Sequence, residues 1–195
     1  MEDNQSKEPM VKGASLIGFF KYVKDSKDGA ALMEKVLDAL PPESAQVCRQ
    51  KVIAVADYPY SLFVDLIRAI DKVTGVGNLS VCVALGRYAA ARDIQAFMET
   101  FKSKVKPEDL SRAADIMWKS YHINSGTIEA KDTSPENFAI RICDFPQMDP
   151  AHCRLMEGYL SQAMIEVGGS WIEDVHEVKC CSNGDPYHEF QGKWK

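Results

Sequence analysis

A chain of 195 residues can bury one full core but is short for two, so a single domain is expected. Its 23 Lys and Arg against 28 Asp and Glu leave a net charge of −5, and no basic stripe is interleaved with aromatics, which argues against nucleic acid as a partner. No apolar run approaches the roughly 20 residues that span a bilayer, and Met1 to Met10 is too polar for a signal peptide, so a cytoplasmic protein with no transmembrane segment, six reduced cysteines and no structural disulfide is expected.

Residues 1–12 carry too little apolar surface to pack and are expected as a flexible tail, leaving residues 13–195 as the domain, helical over 13–122 and sheet-containing over 126–195. Ala14 to Val23 is apolar and short, and reads as a strand or helical turn against the core. Leu32, Met33, Val36, Leu37 and Leu40 recur at helical spacing until Pro41-Pro42 stops them, and Ser44 to Val55 follows as a second helix. Asp57 is an N-cap candidate for a helix whose face is Leu62, Phe63, Leu66, Ile67 and Ile70, ended by Gly75-Val76-Gly77. Asn78 and Ser80 open a longer, alanine-rich helix through Phe101, and Pro107 starts another that runs to His122.

From Gly126 the pattern changes to alternation. Thr127 to Lys131 and Asn137 to Cys143 flank an Asp-Thr-Ser-Pro turn and read as a β-hairpin. Asp149-Pro150 caps a helix with Leu155, Met156, Tyr159, Leu160, Ala163, Met164 and Val167 on one face, and strands follow over Trp171–Cys180 and Tyr187–Trp194. Strand, strand, helix, strand, strand after a run of helices predicts an α+β fold, an antiparallel sheet of about four strands packed against a helical layer.

Metal-competent side chains converge in the C-terminal run Glu177-Val178-Lys179-Cys180-Cys181-Ser182-Asn183-Gly184-Asp185-Pro186-Tyr187-His188-Glu189. With Cys153 upstream it supplies carboxylate oxygen, imidazole nitrogen and thiolate sulfur, a donor set that suits a closed tetrahedral Zn²⁺ site better than the all-oxygen sites of Mg²⁺ or Ca²⁺. Residues three apart on a regular strand face opposite sides, so Glu177 and Cys180 reach one ion only across a bulge or the start of the turn. Strict alternation would instead pair Glu177 with Cys181. Trp118, Tyr121, His122 and Trp171 could line a pocket between helices and sheet, although aromatics at such spacing are more often plain core. No G-x-G-x-x-G, Walker A, H-E-x-x-H or G-x-S-x-G motif occurs, and no catalytic residues emerge.

Cys153-Arg154-Leu155-Met156-Glu157-Gly158-Tyr159-Leu160, then Glu177-Val178-Lys179-Cys180, then Gly184-Asp185-Pro186-Tyr187-His188-Glu189-Phe190 resembles the 4-vinyl reductase domain family over roughly the last 45 residues. The resemblance implies a ligand-binding fold shared with haem-NO-associated domains and with small subunits of the TRAPP tethering complex. In phenol-responsive members a zinc is held by Cys, Glu, Cys and Cys, and motif by motif this falls on Cys153, Glu177, Cys180 and His188, with Cys181 as substitute for Cys180. The fourth position departs from the pattern: imidazole for thiolate keeps a zinc ligand and removes one negative charge. The expected function is therefore a sensor domain for a small hydrophobic or aromatic ligand, with a structural Zn²⁺, acting through a protein partner or its own copy as a homodimer. Its alternatives are a tetrapyrrole-binding accessory of bacteriochlorophyll synthesis and a TRAPP-like scaffold. Four protein ligands leave a zinc no open position, so an enzyme is not implied.

Overall fold

Apolar residues recurring every three to four positions build the helical layer. The computed structural model describes residues 8–101, 110–131, 137–168 and 175–193. In chain order these form β1 (Met10–Lys12), α1 (Gly13–Lys24), α2 (Gly29–Asp38), α3 (Pro42–Arg49), β2 (Asp57–Pro59), α4 (Tyr60–Thr74), α5 (Ser80–Phe101), α6 (Leu110–Tyr121), β3 (His122–Ile123), β4 (Thr127–Lys131), β5 (Asn137–Cys143), α7 (Pro150–Gly168), β6 (His176–Lys179) and β7 (His188–Lys193). The architecture is α+β, with a four-stranded antiparallel sheet packed on helices, as the element order predicted.

Helix α4 shows how the pattern becomes structure: Leu62, Phe63, Leu66, Ile67 and Ile70 are all buried, and burying such a stripe stabilises by about 1.5–3 kcal/mol per side chain. Asp71, near its end, is itself buried and accepts the backbone N–H groups of Leu79 and Val81, each at 2.8 Å, which ties the end of α4 to the start of α5. Helices α5 and α7 cross with their backbones in contact. A methyl added at Gly86 would lie 1.9 Å from the Leu155 carbonyl oxygen, and one at Gly158 would lie 1.9 Å from that of Val83, so only glycine permits this approach.

The main sheet has the order β4-β5-β7-β6. Pairing Ile142 with His188 and Ile140 with Phe190 lines its inner face with buried side chains, while Arg141 and Glu189 pair at 2.5 Å on the other face. A second sheet, β2-β1-β3, stitches the start of the described chain to two distant points, with Val11 opposite both Tyr58 and His122.

Several sequence expectations are corrected here. Met10–Lys12 is not part of a tail but a strand with Val11 fully buried. Ala14 to Val23 lies in a helix, and the helix expected from Ser44 to Val55 is α3, which starts at Pro42 and stops at Arg49. Asp57 does not cap α4: it lies in β2, ion-paired to Lys12 at 2.5 Å, and Pro59 holds the cap position. No helix among the described residues is long and apolar enough to cross a membrane.

Candidate metal centre and ligand cavity

Cys153 sits in the first turn of α7, which Asp149 opens by accepting the Ala151 N–H at 2.8 Å while holding Arg68 at 2.7 Å. Glu177 and Cys180 belong to β6 and the turn after it, and His188 begins β7. The ligand atoms of these four residues lie within 4.8 Å of one another. Zinc bond lengths put tetrahedral ligands about 3.3–3.8 Å apart, so a contraction of at most about 1.5 Å would close the shell. Two of the separations are already short: His188 Nδ1 is 2.9 Å from a Glu177 carboxylate oxygen and 3.5 Å from Cys153 Sγ.

The bulge that the spacing demanded is present. Glu177 pairs with Phe190 and Lys179 with Glu189, so one extra residue in β6 turns Cys180 to the side of Glu177. The turn is then fixed from within: Asp185 accepts the Cys180 N–H at 2.9 Å, and Gly184 takes a left-handed conformation at φ 92°. Cys181 starts a single 3-10 turn, is partly exposed and stands outside the cluster. His188 is fully buried on an interior strand, unlike a surface residue at a sheet edge.

Two side chains of α7 that the sequence reading did not single out for this site hold β6 in place. Glu157 accepts the Glu177 N–H at 2.9 Å and Ser161 accepts that of Val175 at 3.1 Å. Burial, and then the Glu177 carboxylate, pushes the Cys153 thiol far up, so Cys153 keeps its proton until a cation takes its place.

A cavity of about 110 Å³ lies among α1, α4, α5, α6, α7 and the sheet. Trp118, Tyr121 and His122 line it as expected; Trp171 lies outside the described residues. The polar ends of two of them are already engaged, because Trp118 Nε1–H donates to the Ser125 carbonyl at 3.1 Å and the Tyr121 hydroxyl bonds Asp93. They offer the cavity ring surface.

His152, which no local pattern marks, joins them. Its ring lies 5.2 Å from that of His122 and 4.9 Å from that of Phe63, and Trp118 stacks on His122 at 3.9 Å. Burial pulls His122 down to about 4 and His152 well below its ordinary value, so both are neutral near pH 7. Cys82, on α5, is fully buried core.

The sequence matches no family model and no curated protein. Its fold does match solved structures. An H-NOX protein from S. oneidensis in the Fe(II)NO ligation state superposes with a TM-score of 0.69 at 15% identity, covering 94% of this chain and 99% of that one. The Fe(II) unliganded H-NOX protein from K. algicida gives 0.67 at 13%, covering 94% and 96%. This chain therefore has the H-NOX fold, in keeping with the shared fold that the motif resemblance implied, whereas the link to 4-vinyl reductase domains rests on the motifs alone.

Proposed function

We propose that the protein is a small-molecule sensor domain that binds a compact, largely apolar ligand between its helices and sheet, with a structural Zn²⁺ at Cys153, Glu177, Cys180 and His188. The observation that carries this reading is the adjacency of His152 and Cys153: one turn of α7 lines the cavity with the first and enters the four-residue cluster with the second. A zinc there joins α7 to the β6–β7 hairpin and closes one wall of the ligand space. Ligand-dependent packing of that wall is then read by a protein partner, its own copy included.

The H-NOX neighbours carry iron, so haem requires a test of fit. The cavity is smaller than the ~150 Å³ space that holds a benzene, and a porphyrin is several times larger than benzene. His122 and His152 lie side by side with rings 17° from parallel, not across a space that would admit a macrocycle. Arg92, the one Lys or Arg in the described lining, is bound to Asp93 at 2.8 Å and is not available to a propionate. The residues present do not fit a haem. The same size argument disfavours the tetrapyrrole-accessory reading, and no observation favours a TRAPP-like scaffold.

Native mass spectrometry of freshly purified protein tests the proposal. One zinc per chain and a copurified small molecule are the expected result. Metal-free protein whose melting is unchanged by added zinc or by chelator would refute the metal centre.

A further inference from the structure

His152 is fully buried and His122 half-buried, and the Nε2 atom of each is buried without a hydrogen-bond partner among the described residues. A buried polar atom left unpaired costs about 1–3 kcal/mol, so two of them beside one cavity need an explanation. Their other ring nitrogens fix which role each Nε2 plays.

His122 Nδ1 lies 3.3 Å from the Trp118 carbonyl oxygen, which can only accept, so Nδ1 carries the proton and Nε2 presents a lone pair. His152 is set the opposite way. The Tyr60 oxygen accepts the Asp149 N–H at 2.9 Å and lies 3.1 Å from His152 Nδ1. Burial raises the Tyr60 phenol, so it keeps its proton and donates it to that nitrogen, leaving His152 with Nε2–H as a donor.

One acceptor and one donor thus sit on neighbouring rings in the lining of a largely apolar space, where Arg92, Asp93 and Tyr121 are bonded to one another. We propose that this pair recognises a neutral alcohol, a hydroxyl group on a compact apolar body, and so gives the cavity its specificity. The inference rests on the cavity being a ligand site, as proposed above. A hydroxyl donates and accepts at a single atom and meets both nitrogens at once. Arg92 is held by Asp93, so the described lining leaves a carboxylate without a counter-charge, and a bare hydrocarbon leaves both nitrogens unpaired.

Calorimetric titration of the full chain with matched pairs small enough for the cavity tests this: 2-propanol against propane, and cyclobutanol against cyclobutane. Each alcohol is expected to bind at least about tenfold tighter than its hydrocarbon. His122→Phe, which keeps a ring on Trp118, should abolish that preference, and Tyr60→Phe should weaken it by releasing the His152 tautomer. The wild-type series stands as a test by itself if either variant fails to fold. Equal binding within both pairs overturns the alcohol assignment and leaves the apolar site standing. No binding by any of the four overturns both proposals.

Discussion

His122 should make the fold sensitive to acid, and the size of the effect follows from its surroundings. Its pKa falls from an ordinary 6.5 to about 4, because burial removes water from the imidazolium and the Trp118 carbonyl compensates only in part. Between those values the unfolded chain binds a proton that the folded chain refuses. Stability is therefore complete above pH 6.5 and declines as pH falls toward about 4, below which this group costs nothing further. At about 1.4 kcal/mol for each pH unit, the full loss is about 3 kcal/mol, a large share of the 5–15 kcal/mol typical of a domain. His152, facing it from α7, acts in the same direction and remains in both proteins when His122 alone is replaced. Urea unfolding of wild type and His122→Phe at pH values from about 7 down to about 4 isolates the residue. Losing the bond to the Trp118 carbonyl should offset the variant by a constant amount, while the wild type should lose up to about 3 kcal/mol more than the variant as pH falls across the window. Parallel curves across the window would refute the claim that His122 is buried as the neutral form.

Other expectations follow from the same geometry. Cys180→Ser should abolish stoichiometric zinc and lower the melting temperature, whereas Cys181→Ser should leave both unchanged, as judged by metal analysis and calorimetry; equal loss in the two would place Cys181 in the shell. Gly158→Ala drives a methyl into the Val83 carbonyl and should cost about 2–3 kcal/mol in denaturant unfolding; an alanine variant of native stability would mean that α5 and α7 part freely. Asp71→Ala strands the N–H groups of Leu79 and Val81 and should cost about 2–4 kcal/mol, with faster amide exchange at those two positions as its signature.

Much of this structure was legible in the sequence where a repeating pattern had room to declare itself. Helix α4 and the strands β4 and β5 fall where apolar spacing and alternation place them. The strands β1, β2 and β3 have two or three residues each, too few for any period, and their partners lie far along the chain. The same distinction divides the site. Glu177, Cys180 and His188 are close in sequence, and their spacing demanded the bulge that β6 contains. His152 is one residue from Cys153, yet nothing local marks it. Its burial and tautomer are set by Tyr60, 92 residues away, and by a carbonyl-like role that the Tyr60 oxygen plays toward Asp149. Glu157 was visible as a carboxylate on α7, but its use as a strap for β6 depends on the β-bulge register and the helix arriving together.

The glycine contact between α5 and α7 bears on how this domain can respond to an occupant. With carbonyl oxygens where side chains would otherwise intervene, no rotamer change can cushion the joint, and the two helices move as one rigid plate. Swelling of the interior must then be taken up by the other walls, α1, α4, α6 and the strands β4 and β5. A partner that detects ligand would find its signal on those yielding walls, while the plate serves as the fixed frame against which displacement is registered.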